Sequence, residues 1–437
     1  MLLEKTNLLD QYFDEVLKEQ QQIDLLLGDP VHPNLYSLRD MARQSFRSKG
    51  IPHSGMEDWK YTPVRAFLEK ILRVKDGYPK YSSSAADALQ LEKSCYTMVI
   101  IDGKWWPHLS DPILTDSLEI TSLDQVSSET AKIAHLGTHA DIEHPFAALN
   151  TALFSDGIMI RVKTGVLLEK PICLVHISMG EINPMFYPRM LFVAEKHTKV
   201  TLIEKFVVSD TSIYTVNNSV SEVVVENGAE MEHYYIHTEN ELSVNLQYAR
   251  VILDEGSKYS NYNFALPGSP FIRHDLHVSM RGTAAETTLH GMVLSAKKQL
   301  VDNHTCVDHL VPDCISNEHY KCIVKDQSTL VFNGKVIVHP DAQRTNSFQK
   351  NSNLLLSDDA VINTKPELEI YADDVKCSHG ATMGQFDSEA LFYLTSRGIR
   401  ENTARQMLME AFAAEIIEVV PDEMVKQYLK NIMAEHL

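Results

Sequence analysis

The 437-residue chain carries 40 Lys and Arg against 59 Asp and Glu. The resulting net charge of -19 repels a phosphate backbone, and no dense basic run offsets it, so nucleic acid is excluded as an expected partner. A hydrophobic content of 44% supplies a large core, and the six cysteines (Cys95, Cys173, Cys306, Cys314, Cys322, Cys377) never form CxxC, which excludes a zinc ribbon and leaves reduced thiols as the expectation.

The opening residues, MLLEKTNLLDQYFDEVLKEQQ, are acidic and helix-periodic rather than a basic segment followed by an apolar run. No window reaches eighteen uninterrupted apolar residues, so a cytoplasmic location without membrane contact is expected. Leu8, Leu9, Tyr12, Phe13, Val16 and Leu17, then Ile23 and Leu26, have the three-and-four spacing of an amphipathic helix from Asn7 to Leu27. A second helix is predicted from Leu35 to Lys49, with Gly50 as its cap and Pro52 preventing continuation. MEDWKYTPV follows, then the small-polar loop YSSSAADA, and YTMVIIDGKWWPHL reads as a hairpin around Asp102 and Gly103. Residues 1–147 form a mainly helical region with this small hairpin.

Residues 148–384 differ in texture. Short runs such as ICLVHIS, KVTLIEKFVV, SEVVVEN and KVIVHP are rich in β-branched residues and bounded by turns. The turns weakly repeat, as in VVENGAEM, ILDEGSKY, IVKDQSTL and LLSDDAVI, at spacings that suggest stacked coils of uneven size. A parallel β-helix fits better than a sandwich, because two-residue hairpin signals are few and no helices intervene. Residues 385–437 return to helical periodicity. Asp387 caps the helix SEALFYLTSRG and Gly398 ends it; a second helix places Ala404, Met407, Leu408, Ala411, Phe412 and Ile416 on one face, and a third presents Val425, Tyr428, Leu429, Ile432 and Met433. These helices read as a small module whose apolar stripes close the end of the strand-built body.

Cys377 and His379, two apart on a strand, point to one face and can reach one soft or borderline metal ion. Two ligands make neither a structural nor a catalytic site, so further donors must come from distant residues or a second chain; a cysteine packed as a small hydrophobe beside a hydrogen-bonded histidine is the commoner arrangement. A Cys-His nucleophile has no identifiable orienting third group or oxyanion hole. Cys306, Cys314 and Cys322 recur at intervals of eight among His304, His309 and His319, and stacked coils can bring them together, but the spacing matches no metal signature. His135, His139 and His144 sit in an irregular stretch and read as solvated surface. The pairs Asp358-Asp359 and Asp373-Asp374 offer acid-base chemistry to a carbohydrate-active β-helix, but as turn residues they bond the backbone. No GxxxxGK[ST], GxGxxG or HExxH occurs, so the chain has no recognisable nucleotide site or zincin helix.

Three segments together carry a resemblance: GIPHSGMEDWKYTPV, FAALNTALFSDGIMIRV, and the long run from Asn333 to Ile399 that contains KNSNLLLSDDA and DDVKCSHGATMGQFD. They resemble the SufB/SufD family of iron-sulfur cluster assembly proteins, in order and over most of the chain. Of the two paralogous branches it looks most like SufD. SufB-type chains carry a cysteine before LLL, where Asn351 stands here, and a Glu-His-Glu element where Cys377-Ser378-His379-Gly380 stands. The resemblance implies a right-handed parallel β-helix between helical regions, and a non-enzymatic scaffold pairing with a SufB-like paralogue through the end of the β-helix. A SufC-like ATPase would dock on Leu391, Phe392, Leu394, Ser396, Arg397, Gly398 and Ile399 and supply the only ATP site. It further implies that no cofactor binds the isolated chain stably and that Cys377 and His379 are candidate ligands for iron or a transient cluster shared with SufB; an exposed end of a β-helix favours pairing of two copies when SufB is absent. The other readings are a self-sufficient SufB-like scaffold and a carbohydrate-active enzyme using paired carboxylates.

Overall fold

The computed structural model describes residues 2–27, 33–73, 95–111, 116–123, 136–137, 141–179, 184–208 and 214–436. The loop YSSSAADA lies outside them. The expected N-terminal helices form as α1 (Leu2–Leu27) and α2 (Pro33–Lys49). Leu9, Phe13 and Leu17 of α1 are buried with Ala42 and Phe46 of α2. Gly50 takes a φ of 67° and donates its N–H to the Phe46 carbonyl at 2.7 Å, the left-handed cap that only glycine adopts freely. Short α3 (Val64–Leu68) and the apolar α4 (Pro145–Leu153) complete this region.

Most of the body is built from two ten-stranded sheets. The first stacks Lys199–Val208, Glu230–His237, Lys258–Ala265, Glu286–Ser295, Ile315–Val324, Thr345–Leu355 and Val375–Gly384 in that order, all parallel. The second stacks Thr215–Val225, Ser243–Leu253, Phe271–Met280, Leu300–His309, Thr329–Val338 and Val361–Ile370 likewise. The chain alternates between the sheets, so this is the parallel β-helix expected. Its coils are more regular than the turn spacings suggested: strand register pairs residues 27 to 32 apart on successive coils. The repeated turns of the sequence come from both corners of the coil, and mixing the two corners made an even period look uneven.

Inward side chains alternate with outward ones along every strand. Leu202, Tyr235, Tyr259, Leu289 and Tyr320 of the first sheet meet Phe192, Val223, Val251, Val278 and Phe332 of the second. The interior also holds a charged group: Glu204 accepts 2.9 Å hydrogen bonds from both His176 and His233. Burial opposes ionisation of Glu204, but the two imidazoles outweigh it and hold the carboxyl well below its usual range.

The two ends of the coil stack differ. At the start, the expected hairpin forms with Ile100 opposite Trp105, turning through Asp102 (φ 46°) and Gly103 (φ 83°), and its strand Tyr96–Ile101 joins the first sheet. Leu118–Ser122 lies antiparallel on the second sheet, so a reversed strand ends each sheet at this end. At the other end Val361–Ile370 and Val375–Gly384 are the last strands and have no further neighbour among the described residues.

The C-terminal helices are α5 (Ser388–Ser396), α6 (Glu401–Ile417) and α7 (Glu423–His436). They do not close the end of the body. Ile416, Val425, Leu429 and Met433 pack with the outward Ile203, Tyr234, Phe264, Met292 and Ile323 of the first sheet, along its side. The α7 stripe is as expected, but the α6 face is rotated: Ala404, Met409, Ala413, Ile416 and Ile417 are buried, while Met407 is exposed. Apolar residues ring this helix from Met407 to Ala414, so periodicity alone left its phase open until the flat sheet selected one side.

The outer face of the second sheet is clamped to the N-terminal region by Arg273. Its guanidinium pairs with Asp275 at 2.8 Å and Asp302 at 2.7 Å, donates to the Asp58 carbonyl, and lies 3.6 Å from the centroid of the buried Trp59 ring. Thr62 donates to the same Asp302 carboxylate. The element MEDWKYT therefore docks onto the sheet through one buried cation. Burial opposes ionisation of Asp275, and Arg273 and His144 together outweigh it and hold the carboxyl well below its usual range. Replacing Arg273 with Met leaves two buried carboxylates without their cation and should destabilise the fold by about 3–5 kcal/mol, read as a lower midpoint of urea unfolding.

Candidate functional site at the open end of the β-helix

The strand Val375–Gly384 pairs with Thr345–Leu355 on one side only, so its other edge presents unpaired backbone groups. Cys377 and His379 occupy its inward-facing positions, where an additional coil would cover them. Cys377 is half-buried and packs against the core, whereas His379 is exposed. A Cβ placed on Gly380 or Gly384 would meet nothing within 4 Å, so the surface around the pair is open. Burial raises the Cys377 thiol above its ordinary pKa. The structure places both residues on one rim and brings no third metal-binding side chain of this chain to them among the described residues.

Behind this rim run two polar columns fixed by the strand register. Cys377 lies over Ser347, which lies over Ser316. Ser316 and Ser347 share a 2.8 Å hydrogen bond, and Ser316 meets His309 Nε2 at 2.8 Å. His379 lies over Gln349, which donates to the Glu318 carboxylate at 2.6 Å; Thr305 donates to the other oxygen at 2.6 Å. Burial pushes the Glu318 carboxyl up to about 7 and the His309 imidazole down to about 4. Asn351 is buried one position further along, accepting from Thr364 at 2.9 Å, with its amide 3.9 Å from the Cys322 sulfur.

The other singled-out residues separate. Cys306 faces outward from the second sheet, Cys314 is buried at a turn, and Cys322 faces inward from the first sheet, so the eight-residue spacing does not gather them. His309 points inward, while His304 and His319 point outward from different sheets. His144 is not solvated surface: it caps α4 by accepting from the Ala147 N–H, sits 3.3 Å from Asp275, and lies tilted against the Trp59 and Tyr248 rings. Its position directly before Pro145 at the start of an apolar run was the available cap signal. His135 and His139 lie outside the described residues. Asp358, Asp359, Asp373 and Asp374 are exposed in turns.

Helix α5 begins as expected, with the Asp387 carboxylate accepting from the Glu389 N–H at 2.9 Å, and ends at Gly398 with a φ of 88°. None of its residues is buried. Phe392 is 73% and Tyr393 58% exposed, with Ser396, Arg397 and Gly398 also exposed and Leu391, Leu394 and Ile399 half-buried. Arg397 lies 5.2 Å from the Tyr393 ring centroid. One grouping escaped the linear reading: His277, Cys306 and Asp308 offer ligand atoms within 4.8 Å of one another on the outer face of the second sheet. Only strand register joins residues so far apart in sequence.

Fold and site together define a parallel β-helix protein whose last coil has no further neighbour among the described residues and bears a thiol and an imidazole, followed by a helix with no buried residue. Comparison with known proteins supplies the family: a profile described as "SUF system FeS cluster assembly, SufBD core domain" matches residues 176–412, and one described as "SufBD protein N-terminal region" matches residues 8–174. The chain belongs to the SufBD family of the SUF iron-sulfur cluster assembly system. It is 33% identical to the iron-sulfur cluster assembly protein SufD of Escherichia coli K12 over 90% of this chain and 91% of that one. It is 32% identical to a SufBD family protein of Synechocystis, covering 89% of this chain and 88% of the relative, and 33% identical to the chloroplastic protein ABCI7 of Arabidopsis thaliana, covering 69% and 65%. Among the described residues no helix is long and apolar enough to cross a membrane.

The raised Glu318 pKa has a sign that can be tested. The protonated form is favoured in the folded state, so its stabilisation is complete below the unfolded pKa near 4.5 and is lost as pH rises through about 7. Glu318→Gln mimics the neutral acid. It should make the chain more stable than the parent above pH 7 by roughly 3 kcal/mol and leave it nearly unchanged near pH 4, measured by urea unfolding across pH.

Proposed function

We propose that the chain is a SufD-like scaffold subunit, without catalysis of its own, that pairs with a SufB-like paralogue through its open coil end. The observation that carries this reading is the asymmetry of the β-helix. One end has reversed strands, while the other leaves two ten-residue strands with edges unpaired among the described residues and a thiol and imidazole on the rim. An open parallel edge is satisfied by strands added from another chain, the same chemistry that recruits peptides by β-augmentation. The similarity to the Escherichia coli protein named SufD supports the branch, and so does Asn351 at the buried position where the resemblance places a SufB cysteine.

In this reading the iron-sulfur cluster is cargo built at the junction. Thiolate and imidazole are suitable donors for iron. Cys377 and His379 contribute two of them and the paralogue the remainder, so no cluster is held stably by this chain alone. Without the paralogue, the same edges pair two copies of this chain. The cytoplasm, or a compartment equivalent to it, is the proposed location.

A SufC-like ATPase docks on α5 and its cap. The support is the unburied helix, whose Phe392 and Tyr393 project apolar surface beside the directional cation Arg397, a composition typical of interface anchors. The sequence has no P-loop, so ATP would act through that partner.

Two measurements test the reading. Co-expression with the SufB-like and SufC-like proteins from the same cell should yield a three-component complex. Phe392→Asp should weaken capture of the ATPase by about 30-fold or more while the paralogue stays bound, and undiminished ATPase binding would remove α5 from the interface. His379→Ala should lower the cluster content of the reconstituted complex at least several-fold with the urea midpoint of the isolated chain unchanged. Full cluster yield in that variant would take His379 out of the site, and a stable cluster on the chain alone would favour a self-sufficient scaffold.

A further inference from the structure

A groove of about 460 Å³ runs across the outer face of the second sheet, lined among others by Tyr248, His277, Cys306, Lys335 and Glu369. Its far side reaches Glu367 and Glu369 of the terminal strand, but His277, Cys306 and Asp308 lie on strands three and two coils back from it. Register places Arg250, His277, Cys306, Lys335 and Glu367 in one ladder across five strands. Asp308 follows Cys306 by two residues and so faces the same way.

We propose that His277, Cys306 and Asp308 form a binding site for a divalent transition ion of borderline softness, such as zinc, cobalt or ferrous iron. Their ligand atoms lie within 4.8 Å of one another, and each side chain is partly accessible, so an ion can enter without unfolding the sheet. Ligands around a tetrahedral ion with bonds of about 2.0–2.3 Å lie roughly 3.5 Å apart, a contraction that side-chain rotation supplies. One nitrogen, one sulfur and one oxygen suit zinc, cobalt and ferrous iron and disfavour magnesium and calcium, which take oxygen. His339 offers a fourth donor: its Nε2 is 3.6 Å from the Asp308 carboxylate, and its side chain is 42% exposed, leaving it free to swing inward.

The neighbours define how the ion exchanges with charge already present. Without metal, His277 Nε2 donates to Asp308 at 2.7 Å, and Arg250 contacts Nδ1. Lys335 is engaged by Glu369 at 2.7 Å. When the ion binds Nε2, the imidazole proton moves to Nδ1 and the Cys306 thiol loses its proton to solvent, so one proton is released per ion. A protonated Nδ1 repels the guanidinium, so Arg250 must leave its contact as the ion arrives. Arg250 therefore opposes loading, and its removal should favour it. This site is independent of the scaffold reading, since its ligands touch neither α5 nor the coil edge.

The test uses the full metal-free chain titrated with Co²⁺ and followed by thiolate-to-cobalt charge-transfer absorption. One equivalent should produce the band, and excess Zn²⁺ should erase it. Cys306→Ser should abolish the band, His277→Ala and Asp308→Asn should weaken binding at least about tenfold, and the Cys377→Ser/His379→Ala double variant should leave it intact. Arg250→Gln should bind more tightly than the parent. A band that survives Cys306→Ser, disappears with the double variant, or never forms overturns the proposal, as does an Arg250→Gln variant that binds more weakly. Should Cys306→Ser fold poorly, His277→Ala and Arg250→Gln carry the decision through their opposite effects on affinity.

Discussion

A parallel β-helix rests on one constraint: a strand cannot satisfy its own backbone, so each coil depends on the next for half of its N–H and C=O groups. Within the stack this is met in register over runs of about ten residues, coil after coil. At the first coil the problem is solved by chain reversal, with short antiparallel strands laid on both sheets. At the last coil it is left unsolved among the described residues. The unpaired edge and the rim with its half-buried thiol and exposed imidazole are thus one feature of how the described stack ends.

The two outer faces of the stack are used differently. The first sheet is covered by α6 and α7, whose apolar stripes turn what would be an exposed hydrophobic surface into a second core. The second is partly covered by the N-terminal region, fastened through the Arg273, Asp275 and Asp302 network under Trp59. Where that cover stops, polar and metal-binding side chains line a groove. Only Gln385, Phe386 and Asp387 separate the terminal strand from α5, so the helix and the strand bearing Cys377 and His379 are joined by a short connection.

The interior is less oily than the strand sequences suggest. Glu204 between two imidazoles, Glu318 under Gln349 and Thr305, and the Ser347, Ser316 and His309 chain all lie between the sheets. Each carries a partner supplied by the next coil or the facing sheet. Such groups are costly when unpaired, so they favour one stacking register over a slipped one. The inward columns that end at Cys377 and His379 are continuous with this polar interior.

Much of the fold was legible in linear order. The cap at Gly50, the hairpin at Asp102 and Gly103, the helix start at Asp387 and the same-face placement of Cys377 and His379 all follow from rules acting over a few residues, where local sterics dominate. What required the folded chain were matters of phase and register. Periodicity showed that α6 is apolar but left its buried side to the sheet beneath it, and the capping role of His144 was hidden in an irregular stretch. The grouping of His277 with Cys306 and Asp308, and the stacking of His379 on Gln349 and Glu318, arise because coils of nearly equal length bring residues about thirty apart into contact. The sequence by itself determined which segments are strands, where they turn and which residues carry thiol and imidazole groups. The tertiary structure decided which of those residues meet and which edge stays open, because both depend on how many residues each coil spends before returning to the sheet.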